Sequence, residues 1–193
     1  MVGDSAYPLI REASVLAQVL RRLALLGPAP LLLTLSAPAH AVTSLPPVTP
    51  ASALALGPPT EATIVSQVRL MSQVVTMTNQ QRHANGCGQL AVSHDLTVAS
   101  VRQSLYMAHT GLFTHVWRDG TTFVARAHAA GYRQPSGENI AWGYRTAADV
   151  MAAWMASPHH RENILNCGAR SIGTGVIYAA NGIPYYTEVF GWD

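Results

Sequence analysis

Residues 137–165 read GENIAWGYRTAADVMAAWMASPHHRENIL, and this stretch holds polar residues inside apolar surroundings. In a strand, side chains alternate between faces, so Glu138 falls with Ile140 and Trp142 while Asn139 and Ala141 point the other way. A carboxylate on an apolar face is costly unless it meets a cation, a metal or hydrogen-bond donors, so Glu138 requires a partner from elsewhere in the fold. Thr146 with Asp149 three residues on has the form of an N-cap with an acidic N3, and Val150, Met151 and Trp154 then share one helical face. Ser157-Pro158 reads as a second N-cap with proline at N1, placing His159 and His160 at the start of a short helix through Leu165. Adjacent helical residues diverge by about 100°, so one of the two histidines is expected to face Glu138. A helix N-terminus disfavours a protonated imidazole, and a neutral ring suits a metal ligand, a general base or a capping role.

Working outward, GLFTH (111–115) is followed by the turn signal Asp119-Gly120, and a third helix is expected from about Thr121 to Ala130. Upstream, Ile64, Val68, Met71 and Val75, with Val74 beside them, predict a helix over Glu61 to about His83, stopped by Asn85-Gly86. A second helix from Ser93 or Leu96 to Thr110 carries Val98, Val101, Leu105, Met107 and Ala108, and Gly111 ends it. Downstream, Ser171–Ala179 and Ile183–Phe190 are strand-like runs about Ala180-Asn181-Gly182, and Asn-Gly favours a hairpin turn with positive φ at both turn positions. Pro184 suits a strand start or an edge. With a strand at 138–143, these runs form a small antiparallel sheet flanked by helices, an α+β fold.

GENIAWG, AAWMASPHHRENIL, GLFTH with its following DG, and the closing PYYTEVFG together resemble the bacterial branch of the CAP superfamily. That group comprises cysteine-rich secretory proteins, antigen 5 and pathogenesis-related class 1 proteins. The resemblance spans about Val75 to Trp192, in the family's order. It implies a three-layer α-β-α sandwich and a central cleft carrying two histidines and two acids, with which metal ions are associated. By position the histidines are His115 and His160, and the first acid is Glu138. The second acid would stand three residues after Trp154, where this chain has Ser157. The family's bacterial pattern also has a histidine and an aspartate where Gln103 and Tyr106 stand.

The N-terminal region reads differently. Arg11, Arg21 and Arg22 precede an apolar run from Leu23 to Leu35, and Ala39-His40-Ala41 offers a signal-peptidase site, so residues 1–41 are expected to be an export signal with Val42 as the first mature residue. The run is too short and proline-broken for a transmembrane anchor. Residues 42–60 are rich in Pro, Ala, Ser and Thr and read as a linker, leaving 61–193 as the CAP (SCP-like) domain. All twelve basic residues are arginine and the formal charge is only +2, so no basic stripe is present to track nucleic acid. Cys87 and Cys167 are an even pair in a chain read as exported, which makes a disulfide the default.

Three chemistries suit His115, Glu138 and His160. Two imidazoles and a carboxylate form a plausible set for zinc or another divalent ion, with water completing the coordination. Ser157 with His160 as base and Glu138 as orienter has the residue types of a hydrolytic triad, although no nucleophile elbow or HExxH motif is present. A structural network, with Glu138 paired to a histidine or to Arg161, is the third reading. The leading expectation is a secreted binding module for a divalent ion and a lipid, cell-wall or protein ligand, with a hydrolase of peptides or envelope polymers as the alternative.

Overall fold

The computed structural model describes residues 59–193, so the expected signal 1–41 and linker residues 42–58 lie outside the described residues. Helix α1 (Glu61–Ala84) is capped by Thr60, whose side chain accepts from the Thr63 amide. A two-residue strand, β1 (Ala91–Val92), leads into α2 (His94–Thr110), which ends on Gly111 in the left-handed region. Next come α3 (Phe123–Ala130), β2 (Pro135–Trp142), α4 (Ala147–Ala156), α5 (Pro158–Ile164), and the strands β3 (Ser171–Tyr178) and β4 (Pro184–Gly191). The Thr146–Asp149 cap forms as its sequence implies: the hydroxyl accepts the Asp149 amide at 3.1 Å and donates to the Asp149 carboxylate at 2.7 Å.

The sheet order is β1-β3-β4-β2. β3 and β2 both run antiparallel to β4, as expected from the hairpin pattern, but β1 pairs parallel to β3, so the sheet is mixed rather than purely antiparallel. The parallel pair is short enough that sequence periodicity cannot register it. Pro184 begins the central strand, where its missing amide interrupts little of the ladder. The hairpin loop also departs from the two-residue form. Gly182 N donates to Ala179 O and Ala179 N to Ile183 O, and only Gly182 has positive φ, which marks a three-residue loop closed by a glycine.

Helices cover both faces. On one side α2 lies so close to β3 that a Cβ on Gly173 would come within 2.0 Å of the Leu96 carbonyl carbon, and one on Gly175 within 2.5 Å of Ser100 backbone. Ser100 and Ser104 donate to the carbonyls of Gly173 and Gly175, both at 2.9 Å, so small residues on both elements make the contact. Helix α3 joins this layer through Ala127, packed with Leu96, Ala99, Tyr132 and Val189. The larger core lies on the opposite face, where α1 and α4 bring Leu70, Met71, Val74, Val150, Met151 and Trp154 against Ile172, Val176, Tyr186 and Phe190.

The buried face of α1 differs from the apolar stripe expected. Gln67, Leu70, Met71, Val74, Thr78 and Arg82 are buried, whereas Ile64, Val68 and Val75 sit at the rim. Arg82 explains part of the shift: its guanidinium donates to the carbonyls of Gly88, Ile164, Asn166 and Ala169 and so ties α1 to the chain leaving α5. Beside it, Cys87 and Cys167 form the expected disulfide across 80 residues, worth about 4.5 kcal/mol by loop-closure entropy. No helix among the described residues is long and apolar enough to cross a membrane.

Candidate functional site

Glu138 is where the sheet meets the loop after α2. Its side chain is 1% exposed; Oε1 lies 2.9 Å from His115 Nδ1, and Oε2 accepts from the Arg126 guanidinium at 2.7 Å. The partner the sequence demanded is therefore His115 together with Arg126 on α3, not Arg161. Arg161 is exposed and, with Glu162, Met155 and Leu165, lines a shallow groove of about 360 Å³ at the α4–α5 corner. Arg126 also donates to the carbonyls of Thr121 and His115, and its planar group lies 5.5 Å from the Trp117 ring centre. One buried cation thus fixes both the acid and the loop that presents the histidine.

That loop has a second anchor. Gln103 donates to Thr114 O at 2.6 Å and accepts from the Trp117 indole at 2.7 Å. Tyr106 stacks on Trp117 with ring centres 4.9 Å apart, and its hydroxyl accepts the Arg118 amide. Gln103 and Tyr106, two of the positions at which the chain departs from the pattern it resembles, are thus residues that hold the loop carrying His115. Phe113 and Val116, which bracket His115 in that loop, are exposed.

His115 is half exposed. A carboxylate can only accept, so the shared proton sits on Nδ1, and in the neutral ring Nε2 keeps its lone pair. His160, on α5, is partly buried; burial first, and then the neighbouring His115 and His159, hold its pKa below the ordinary histidine value. The ring is therefore biased toward its neutral form. Among the described residues no hydrogen bond joins His160 to Glu138, and no group of three or more His, Cys, Asp or Glu is gathered as a metal site. Ser157 occupies the N-cap position of α5, but its hydroxyl makes no capping bond and none to His160 or Glu138. Glu138 and His115 are joined by a hydrogen bond, and His160 lies near enough for His115 to disfavour its charge; the serine of the hydrolytic reading joins none of the three by a hydrogen bond.

On the reverse face of the same two strands lies a second buried acid that the sequence did not flag. Glu188, opposite Asn139 in the β2–β4 register, accepts from Asn139 Nδ2 at 2.8 Å and from Thr78 at 3.0 Å. Burial, only partly offset by these two hydrogen bonds, pushes its carboxyl up to about 7. Asn139 also donates to the His160 carbonyl at 3.0 Å and accepts from Asn163, which reaches the Glu138 carbonyl. The available signal was Asn139 itself, which strand alternation had placed on the face opposite Glu138.

The cysteine-rich secretory protein family model, CAP, matches residues 75–190. The chain belongs to that family. An uncharacterized protein of Bacillus subtilis (strain 168), YkwD, is 34% identical over 107 residues, covering 54% of this chain and 41% of YkwD, so the chain spans well under two thirds of that relative. A solved extracellular protein containing an SCP domain from Bacillus anthracis aligns at 24% identity and TM-score 0.63, over 72% of this chain and 45% of that one. An outer surface protein from Borrelia burgdorferi aligns at 22% identity and TM-score 0.59, over 64% of this chain and 92% of its own. These structures share the fold, and the α-β-α sandwich implied by the sequence motifs is the family's.

Proposed function

We propose that this CAP protein is an exported binding module whose cleft takes a divalent ion on His115 and His160 beside a lipid, cell-wall or protein ligand. The observation that carries the reading is the Glu138–His115 hydrogen bond, which occupies Nδ1 and leaves the Nε2 lone pair free on a half-exposed ring, with a second imidazole, biased toward neutrality, near enough to interact with it electrostatically. A carboxylate behind a histidine is the usual support of a metal-binding imidazole, fixing tautomer and orientation. Both oxygens of Glu138 are engaged, by His115 and Arg126, so its role in this reading is to orient His115 rather than to bind the ion. Two nitrogen donors suit zinc and its neighbours better than calcium, which prefers oxygen ligands. A bound ion would supply a positive point at which an anionic or carbonyl group of the ligand could dock. Exposed Phe113 and Val116 beside His115, and exposed Trp142 on the strand that carries Glu138, offer apolar surface for the remainder of such a ligand. Export rests on the N-terminal 41-residue pattern and on the surface or extracellular character of the relatives named above.

Calorimetric titration of zinc and then calcium into the metal-stripped protein tests the ion site. Zinc is expected to bind near one equivalent with weak affinity, calcium not at all, and His115→Ala and His160→Ala each to abolish the zinc heat. Equal binding by parent and both variants would overturn the assignment.

A further inference from the structure

We infer that Asn139 and Glu188 are positioning residues for His160, so that two neighbouring residues of β2, Glu138 and Asn139, each govern one of the two cleft histidines from opposite faces of the sheet. The inference deepens the ion-binding reading and rests on it for its consequence, though not for its geometry. Helix α5 has only seven residues and its N-cap hydroxyl makes no bond, so local structure does little to fix where His160 sits. What reaches it from the sheet is the Asn139 amide, which donates to the His160 carbonyl at 3.0 Å.

The direction of that amide is set by its neighbours. Nδ2 faces two acceptors, His160 O and Glu188 Oε1, while Oδ1 faces the Asn163 amide at 2.8 Å. Rotating the group by 180° would set its oxygen against both acceptors and its nitrogen against a donor, losing all three bonds at once. Glu188 is itself held at its other oxygen by Thr78 of α1. Asn139, Glu188 and Thr78 are wholly buried, so no water can substitute for a missing partner at low cost. The chain from α1 through β4 and β2 to α5 therefore sets the His160 backbone, as Arg126 and Glu138 set the ring of His115.

The test uses isotope-labelled, full-length, metal-free protein, with the ring resonances of both histidines followed by NMR and zinc affinity measured in parallel. Asn139→Ala and Glu188→Ala are expected to shift the His160 ring signals while leaving those of His115 in place, and to weaken zinc binding about tenfold, the usual scale for loss of a supporting contact. Glu188→Gln can still accept from Asn139 and turn its own amide to the Thr78 hydroxyl, so it is expected to keep the parent His160 signals and zinc affinity. If the alanine variants do not fold, Thr78→Val removes only the outer anchor, and a selective His160 shift in it supports the inference. Unchanged His160 signals in the folded variants would overturn it, as would equal shifts at both histidines with no rescue by Gln. Should the parent bind no zinc, the ion-binding reading fails by itself, and the metal-free His160 signals still decide the positioning role.

Discussion

Glu138 and Glu188 sit on adjacent strands of one sheet, one register step apart, and face opposite layers. Both are almost fully buried, yet they are satisfied differently. Glu138 meets a buried guanidinium and an imidazole; Glu188 meets only an amide and a hydroxyl, and no cation lies within salt-bridge distance of it among the described residues. The Arg82 guanidinium, one turn along α1 from Thr78, is committed to four carbonyls instead. A buried acid with a matching charge keeps its geometry as long as both partners stay ionised, whereas one with neutral donors is tied to its protonation state. The face that presents His115 is thus held by charge, and the face beneath His160 is the one expected to respond to pH.

The largest effect should come from breaking the charged side. Arg126→Met leaves the Glu138 carboxylate buried with only a half-exposed histidine and releases the carbonyls of Thr121 and His115. A loss of about 3–5 kcal/mol is expected, read as a lower urea midpoint at pH 7. Adding Glu138→Leu to Arg126→Met should recover part of that loss, because the stranded charge goes with it. A single variant within about 1 kcal/mol of the parent would mean that the pair does not hold this face.

The neutral side should respond to pH rather than to charge removal. The folded Glu188 carboxyl keeps its proton up to about pH 7, whereas in the unfolded chain it ionises near 4.5. Between those values unfolding releases a proton, so this group's contribution makes the protein less stable as pH rises through the window, by about 3 kcal/mol in all. Glu188→Gln removes the titration. Relative to the parent it should therefore be close to neutral at pH 4 and stabilising at pH 8, measured by urea unfolding at both values. A difference that does not change with pH would show that the Glu188 carboxyl titrates in the folded protein as it does in the unfolded chain, its donors offsetting burial without a cation.

The charged site was the more legible of the two in the sequence, and the reason is physical. A lone carboxylate between Ile140 and Trp142 announces a need for a partner, and family motifs placed His115 and His160 near it. The identity of the cation was not legible, since Arg126 lies in a short helix, FVARAHAA, and its direction depends on how α3 docks. Glu188 and Thr78 were hidden for a different reason. Glu188 sits in the strand run PYYTEVFG and Thr78 at the start of the polar run TNQQRH that closes α1, and the periodicity that predicts each element does not say that this polar side chain points inward. The helices, the hairpin and the disulfide followed from caps, turn residues and cysteine count, which are local signals. The parallel β1–β3 pair and the polar buried face of α1 depend on long-range packing, which no window of sequence contains.

The smallest effect is expected at Ser157, which stands where the family's second cleft acid would be and shares its position with the joint between α4 and α5. Unlike either glutamate its side chain has no hydrogen-bond partner among the described residues: its backbone amide bonds to Trp154, but its hydroxyl neither caps α5 nor reaches a histidine. Removing an unbonded, partly exposed hydroxyl should change stability by less than about 0.5 kcal/mol, and Ser157→Ala should leave zinc affinity within about twofold of the parent. If the protein is instead a hydrolase working through this serine, Ser157→Ala would abolish turnover of a peptide or envelope-polymer substrate while leaving the urea midpoint where it was. A turnover screen beside the stability measurement therefore separates a serine left over at a helix joint from a nucleophile that acquires its partners only when substrate is bound.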